Sequence, residues 1–289
     1  MDRRSLLKSA GIGVAVLGLG KPAAAAQSQS QPASKMKLGT VTYNLAKDWD
    51  IETIIKNCEA TGFEGVELRT THAHGVEVGL DKMQRQEVRK RFEDSAVDLT
   101  SLGSAFDYHT PDQEKLRKDI EATKEYIILA HDVGAEGVKV RPNALPEGVP
   151  KEKTLEQIGK SLREIGEFGA QHGVQIRLEV HGRDTSLLPN IRTMLDVADH
   201  KNVGITWNSN DTDLKGDGFQ HNFDLVKDKI FAVHITELYN ENYPYRQLFQ
   251  NLNDMGFDGY CLAEIQGTSD PIRLMKFYRG LWLALQNRL

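Results

Sequence analysis

Hydrophobic and ionisable residues alternate in three short segments of the chain. In Arg177-Leu178-Glu179-Val180-His181, two aliphatic side chains are interleaved with ionisable ones. Because successive side chains of a strand point to opposite faces, Leu178 and Val180 share one face, and Arg177, Glu179 and His181 share the other. The alternation returns at 231–236 and at 260–265. This pattern is typical of strands in a parallel β/α barrel, near its functional end.

The alternation of strand-like and helix-like segments continues from residue 37 to the end of the chain. Eight such units in about 250 residues predict a single-domain α/β protein with a closed (β/α)8 TIM-barrel fold. Strands are predicted at 38–44, 66–69, 98–106, 137–141 and 203–208, and from 175, 230 and 259. Helices are predicted at 50–61, 81–95, 113–134, 155–172, 188–199, 245–255 and 272–286. The pattern gives no bounds for the helix between the sixth and seventh strands.

The N-terminal segment has the features of an export signal. Arg3 and Arg4 form a twin-arginine pair, an apolar run follows from residue 10 to residue 19, and residues 23–26 are all alanine. We therefore predict a twin-arginine signal peptide at 1–26, a flexible linker at 27–36 and the barrel at 37–289. The apolar run is too short for a stable membrane span. The predicted location of the mature protein is the periplasm or another extracytoplasmic space.

Charge and cysteine content exclude two classes of protein. The formal net charge is −5, and removal of residues 1–26, which carry a net +3, leaves −8. Such an acidic chain is not expected to bind nucleic acid, whose phosphates require a basic surface. The two cysteines, Cys58 and Cys261, do not form a disulfide framework and are predicted to be buried free thiols.

Three ligand-type side chains share the predicted inner face of the barrel. They lie near the carboxyl ends of their strands, where the active sites of barrel enzymes are found, and they are Glu179, His234 and Glu264. Two carboxylates and an imidazole suit one divalent ion, Mn²⁺, Mg²⁺, Co²⁺ or Zn²⁺. The three residues therefore predict a metal site.

Four segments together resemble the xylose isomerase-like TIM-barrel superfamily. They are 65–69 (Gly-Val-Glu-Leu-Arg), 178–181 (Leu-Glu-Val-His), 233–235 (Val-His-Ile) and 263–265 (Ala-Glu-Ile). The superfamily includes sugar phosphate isomerases and epimerases and relatives of apurinic endonucleases. The resemblance implies a metal bound by Glu, Asp, His and Glu from the last four strands, and Glu179, His234 and Glu264 match. The sixth strand has Asn208 in the Asp position, so either Asn208 or Asp211 is expected to complete the ligand set.

Six further residues are predicted to contact the substrate. Glu67, Arg69 and Arg141 have inward parity on the second and fourth strands, although Glu67 could instead pair with a neighbouring arginine. The others follow strand ends, and they are His181, His72 and Tyr108.

Together, the residues and the resemblance imply an exported, metal-dependent enzyme like the sugar isomerases and epimerases. Glu179 and Glu264 are expected to pass a proton beside a carbonyl group of a small-molecule sugar. Export, and the absence of a phosphate-binding loop after the last strands, favour a sugar without phosphate. The alternatives are a lyase or hydrolase acting on keto-glycosides, and a barrel that binds sugar without catalysis. The acidic charge and the few strand-end histidines disfavour an endonuclease.

Overall fold

Eight parallel strands form a closed barrel in which each strand pairs with its neighbours in sequence and β8 pairs with β1. This computed structural model describes residues 34–289, and the predictions for the signal segment and most of the linker lie outside the described residues. The predicted fold class is confirmed. The strands are β1 (Lys37–Val41), β2 (Gly65–Arg69), β3 (Asp98–Asp107), β4 (Gly137–Arg141), β5 (Gln175–Glu179), β6 (Val203–Asn208), β7 (Ile230–Ile235) and β8 (Tyr260–Ala263).

A helix follows each strand and covers the outside of the barrel. Within the described residues the helices are α1 (Ile51–Thr61), α2 (Lys82–Glu93), α3 (Gln113–Val133), α4 (Lys151–His172), α5 (Leu188–Ala198), α6 (Phe219–Val226), α7 (Tyr245–Asp254) and α8 (Pro271–Leu285). None of them combines the length and apolar character needed to cross a bilayer.

Local chemistry sets several helix boundaries. Asp50 accepts a hydrogen bond from the backbone N–H of Thr53 and caps α1. Gly62 and Gly134 end α1 and α3 in the left-handed conformation, at φ 73° and 83°, which glycine adopts without steric cost. These glycines explain why similar Gly-containing turns precede β2 and β4.

The outward faces of the strands form the hydrophobic core with the helices. Leu178 and Val180 are fully buried, as their parity predicts. Trp207 also points outward, where its ring lies 5.8 Å from Phe219 and 5.7 Å from Phe223 of α6. Fully burying one aliphatic side chain contributes roughly 1.5–3 kcal/mol, so this layer is the main stabilising feature of the barrel. The prediction of two buried free thiols at positions 58 and 261 is confirmed.

The inward faces of the strands carry the polar residues. Near the amino ends, Arg177 donates to the carboxylate of Glu136 at 3.1 Å and to the side chain of Gln175. Arg177 is therefore a structural residue at the base of the barrel. The candidate metal ligands lie one layer higher, towards the carboxyl ends of the strands.

Candidate metal centre and cavity

A cavity of about 380 Å³ opens at the carboxyl end of the barrel. Its lining follows the period-two geometry of strands, in which residues two positions apart share a face. A lower layer comes from residues within, at or directly after the carboxyl-terminal parts of the strands, and an upper layer lies two positions further along the chain. The lower layer includes Glu67, Lys139, Glu179, Asn208 and Glu264, and the upper layer includes Arg69, Arg141, His181, Asn210 and Gln266.

The predicted ligands Glu179, His234 and Glu264 converge in the lower layer. One ligand atom from each lies within 4.8 Å of the others. His234 Nδ1 is 3.6 Å from Glu179 Oε1 and 3.7 Å from Glu264 Oε2, and it makes no hydrogen bond. Two ligands of one ion, each bonded at about 2.1 Å, are separated by roughly 3 to 3.5 Å. The observed separations are too long for hydrogen bonds and slightly above this range, and two carboxylates with one imidazole are a donor set suited to a divalent ion.

Asn208 and Asp211 take very different positions. Asn208 is buried at the end of β6, beside His234 in the strand register, and its Nδ2 lies 3.4 Å from Glu179 Oε1. Asp211 is exposed at the start of a short 3₁₀ turn and does not line the cavity. The alternative in which Asp211 is a ligand is therefore wrong for this conformation, because the chain turns outward after Asn210. Asn208 therefore lies beside the candidate ligands and lines the cavity, with its amide nitrogen towards Glu179.

Glu67 lies behind His234 rather than on the open side of the cavity. Its Oε1 is 3.4 Å from His234 Nε2, and its Oε2 accepts a hydrogen bond from Ser101 at 2.7 Å. A Cβ at Gly103 would lie 2.7 Å from Glu67 Oε1, so glycine leaves the space that this carboxylate occupies. Glu67 borders the floor of the cavity, but its carboxylate is fully buried and faces the imidazole, so its predicted contact with substrate stays a prediction.

The charges around His234 favour a bound cation. Burial alone lowers the pKa of His234, but the Glu67 and Glu179 carboxylates raise it to about 10. The imidazole of the metal-free protein therefore carries a proton at neutral pH. His234 would give up this proton if its Nδ1 held a divalent ion.

Lys139 on β4 forms a buried ion pair with Glu179. Its Nζ is 2.5 Å from Glu179 Oε2, and both side chains are less than a tenth exposed. Burial by itself raises the pKa of Glu179, but the Lys139 ammonium and His234 hold it well below its usual range. Glu179 is consequently an ionised and firmly anchored carboxylate.

Glu264 has more freedom than Glu179. Its side chain is 23% exposed to the cavity, and among residues 34–289 its carboxylate accepts no hydrogen bond. Burial raises the pKa of Glu264, and the neighbouring Glu179 charge adds to this effect while His234 opposes it. Of the two predicted acid–base groups, Glu264 is therefore the more basic.

His181, Arg69 and Arg141 line the upper layer of the cavity, and their contact with a substrate stays a prediction. Burial lowers the pKa of His181, so its imidazole is neutral at neutral pH. His181 Nδ1 is buried without a hydrogen-bond partner in the described part of the chain. A neutral imidazole at this height can hydrogen-bond a substrate hydroxyl.

Two predicted substrate contacts do not line the cavity. Tyr108 is fully buried and its hydroxyl bonds to Thr123 of α3 at 2.7 Å, because the chain turns outward at the end of β3. His72 bonds through Nδ1 to Thr42 Oγ1 at 2.8 Å and stacks on Tyr43, which does line the cavity. His72 therefore supports the rim, and the prediction of a direct contact by Tyr108 is wrong.

Several lining residues were not selected from the sequence. Lys139 has inward parity on β4, and Asn210 and Gln266 lie two positions beyond predicted ligands. The period-two rule identifies all three once the strand ends are known. Tyr43 and Asn44 follow β1 in a loop, and no sequence signal distinguishes them from other loop residues.

Comparisons with known proteins agree with this architecture. The family described as xylose isomerase-like TIM barrel matches residues 55–279. A 3-dehydroshikimate dehydratase of Bacillus anthracis is 26% identical over 157 residues, which are 53% of this chain and 54% of that protein. The chain thus spans about half the length of this curated relative.

Two solved structures have the same fold. The first is a 3-keto-D-glucoside 4-epimerase of E. coli, with a TM-score of 0.71, 18% identity and coverage of 87% of this chain and 99% of that one. The second is the IolI protein with a bound zinc atom, with a TM-score of 0.71, 16% identity and coverage of 86% and 96%. At these identities the likeness shows the fold alone. The family match covers most of the barrel, and the chain belongs to the xylose isomerase-like TIM-barrel family.

Proposed function

We propose that this protein is a metal-dependent enzyme that removes a proton from the carbon next to a carbonyl group of a small polyhydroxylated substrate. The observation that supports the proposal most strongly is the position of His234 Nδ1, 3.6 and 3.7 Å from the Glu179 and Glu264 carboxylates without a hydrogen bond. Proton-transfer chemistry is expected in a concave site at the carboxyl end of a barrel that contains a cluster of titratable side chains.

Glu179, His234, Glu264 and Asn208 would hold the ion. A bound divalent ion supplies Lewis-acid stabilisation of negative charge on a substrate oxygen. Glu67 orients the His234 imidazole from behind, as carboxylates commonly do for metal-ligating histidines. Lys139 keeps Glu179 ionised and fixed.

Glu264 is the better of the two carboxylates for taking the proton. Both oxygens of Glu179 have neighbours, since Oε2 faces Lys139 and Oε1 faces Asn208. Glu264 borders the cavity and lacks a hydrogen-bond donor among the described residues, so it can approach a substrate carbon. Return of the proton to the opposite face gives epimerisation, and its return to the neighbouring carbon gives aldose–ketose isomerisation.

A lyase reaction is the second candidate. The same proton removal eliminates water when the substrate carries a hydroxyl group on the next carbon. The similarity to a 3-dehydroshikimate dehydratase favours the lyase reaction. The structural likeness to a 3-keto-D-glucoside 4-epimerase is consistent with epimerisation. His181, in the upper layer, would orient a substrate hydroxyl in either reaction.

Solvent deuterium exchange followed by NMR tests the proposal. The metal-loaded protein is incubated in D₂O with a panel of ketoses, 3-keto-glucosides and 3-dehydroshikimate. We expect exchange at the carbon beside the carbonyl in at least one compound, and loss of exchange by about 10²–10⁴-fold in Glu264→Gln. The control is Glu241→Gln, an exposed residue of the loop after β7. Sugar binding without exchange in the wild type would support a non-catalytic binding protein instead.

A further inference from the structure

Two guanidinium groups border the upper layer of the cavity. Arg69 lies two residues beyond Glu67 on β2, and Arg141 lies two residues beyond Lys139 on β4. Arg69 is held over the ring of Tyr43, 5.3 Å from its centroid, and Arg141 donates to the carbonyl of Ala105 at 3.1 Å. These contacts fix both side chains at the rim of the site.

Neither arginine has an anionic partner. Within residues 34–289, no carboxylate oxygen lies within 4.0 Å of a side-chain nitrogen of Arg69 or Arg141. The acidic residue beside Arg141 in the strand register is Asp107, but its Oδ2 accepts a hydrogen bond from Asn143 Nδ2 at 3.1 Å, and its Oδ1 lies 3.0 Å from His109 Nδ1. The Nε atom of Arg141 is also buried without a hydrogen-bond partner. Each guanidinium carries five N–H donors, so most of them remain available to a ligand.

The charges of the two layers do not match. In the lower layer the carboxylates of Glu67, Glu179 and Glu264 are balanced by the Lys139 ammonium and by one divalent ion, when His234 is a neutral ligand. In the upper layer, Arg69 and Arg141 carry two positive charges, and none of the other side chains that line it is a carboxylate. A neutral sugar would leave both charges uncompensated in a partly enclosed site.

We propose that the substrate carries a carboxylate group, which Arg69 and Arg141 bind on the β2–β4 side of the cavity while its hydroxyl groups face the β5–β8 side. The substrate class is therefore a sugar acid or another polyhydroxylated carboxylic acid of about one ring. This inference rests on the proposed function, because the charge balance of the lower layer requires the metal ion.

The geometry favours a carboxylate over a phosphate ester. The planar fork of arginine pairs with either group through two parallel hydrogen bonds, so the loops around the cavity make the distinction. Phosphate sites in barrels commonly use a loop after the seventh or eighth strand together with a helix N-terminus. Residues 236–244, after β7, contain no glycine, and residues 264–270, after β8, contain only Gly267. The cavity also fits a monosaccharide-sized ligand, at about 380 Å³.

Calorimetric titration of the Mn²⁺-loaded full chain tests the assignment. The probes are matched pairs that differ only at C6, namely glucuronate, galacturonate and mannuronate against their parent hexoses. Glucuronamide serves as a neutral analogue and glucose 6-phosphate as the phosphate arm. We expect at least one uronate to bind about tenfold or more tightly than its parent hexose, since hydrogen bonds to charged groups are stronger than neutral ones.

The arginine variants show where the preference originates. Arg69→Met and Arg141→Met should each reduce the preference to less than about threefold, whereas Arg69→Lys should retain part of it. Arg117→Met, which removes an exposed cation from α3, should leave the preference unchanged. Thermal unfolding of each variant confirms that the barrel is intact.

The proposal is overturned if no uronate binds more tightly than its parent hexose, or if the preference persists in both methionine variants. Tighter binding of glucose 6-phosphate than of every uronate would overturn the carboxylate assignment. A uronate preference without deuterium exchange on any compound would contradict the proposed function and leave this inference standing. Deuterium exchange on a neutral ketose without any uronate preference would support the proposed function and overturn this inference.

Discussion

Glu67 Oε1 lies 3.4 Å from Nε2 of His234, on the opposite side of the imidazole from the Glu179 and Glu264 carboxylates. The ring thus stands between a buried carboxylate and a pair of candidate metal ligands. This carboxylate–histidine arrangement fixes the ring orientation and raises its basicity as a ligand. It also explains why β2, which supplies no predicted ligand, carries an inward glutamate.

We expect Glu67→Gln to weaken metal binding by about 10–100-fold, because the imidazole loses its anionic partner. Titration of the metal-free protein with Co²⁺, monitored by visible absorption, measures this change. Ser101→Ala is the matched control, since it removes only the hydrogen bond to the other oxygen of Glu67. Equal affinity of Glu67→Gln and the wild type would show that Glu67 does not support the ligand.

The Lys139–Glu179 pair is predicted to stabilise the metal-free barrel. Lys139→Met leaves the Glu179 carboxylate buried without its cation, and breaking a buried pair in this way typically costs about 3–5 kcal/mol. Urea unfolding measures the loss. Because a divalent ion replaces the missing positive charge, saturating Mn²⁺ should stabilise Lys139→Met more than it stabilises the wild type.

The control for this prediction is an exposed ion pair. Lys160→Met removes the partner of Glu156 on α4, where both side chains are more than half exposed. Exposed pairs contribute at most about 1 kcal/mol, so we expect little change and no added response to Mn²⁺. A similar loss in both variants would mean that the buried pair has no special role.

The sequence predicts the barrel well because its strands have a clear physical signal. Leu178 of β5 and Val180, which directly follows that strand, are buried as their alternation requires. Helix α6 has no predicted bounds, because it is only eight residues long and follows an irregular segment that contains Gly216 and Gly218. Helix α4 begins at Lys151, four residues before its predicted start, directly after Pro150.

The candidate site was predictable where strand alternation reaches the residue, which includes Glu264 and His181 directly after β8 and β5, and not where the chain has left that alternation. Glu179 and His234 are strand residues, and strand parity places them on the inner face. Tyr108 and Asp211 follow strand ends, where the direction of the chain depends on tertiary contacts. Strand parity does not give the distance between Glu67 and His234, so the contact of Glu67 with the imidazole could not be predicted from the sequence.

Asp213 provides a pH-dependent prediction for stability outside the metal centre. Burial raises its pKa to about 7, although the hydroxyl of Tyr243, at 2.5 Å, and the backbone N–H of Asn210 favour the ionised form. The folded state therefore holds a proton that the unfolded state releases near pH 3.8. The contribution of this group to stability falls as the pH rises from about 4 to 7, and it does not change further above pH 7.

Asp213→Asn should remove this fall. We expect the free energy of unfolding of the variant, relative to the wild type, to increase between pH 5 and pH 7.5 by up to several kcal/mol, on the order of 1.4 kcal/mol per pH unit. Urea unfolding at both pH values measures the difference. Asp258→Asn, an exposed substitution before β8, is the control. A pH-independent difference for Asp213→Asn would contradict the assignment.

Export by the twin-arginine route remains a prediction from residues 1–26. Replacing Arg3 and Arg4 together by lysine should retain the protein in the cytoplasm, because that route depends on the arginine pair. Fractionation of cells that express each form measures the location. Replacing Lys8 and Lys21 by arginine preserves the charge and should leave export unchanged. Equal export of the double lysine variant and the wild type would contradict the signal-peptide interpretation.

Metal content and affinity test the central claim most directly, because they require no knowledge of the substrate. Elemental analysis and calorimetric titration with Mn²⁺, Co²⁺ and Zn²⁺ are applied to the wild type, to Glu264→Ala, and to Asn208→Ala and Asp211→Ala as a matched pair. We expect one ion per chain in the wild type, loss of the ion in Glu264→Ala, weaker binding in Asn208→Ala and unchanged binding in Asp211→Ala. A wild-type protein that binds no divalent ion at millimolar concentration, or a Glu264→Ala variant that binds as tightly as the wild type, would contradict the account.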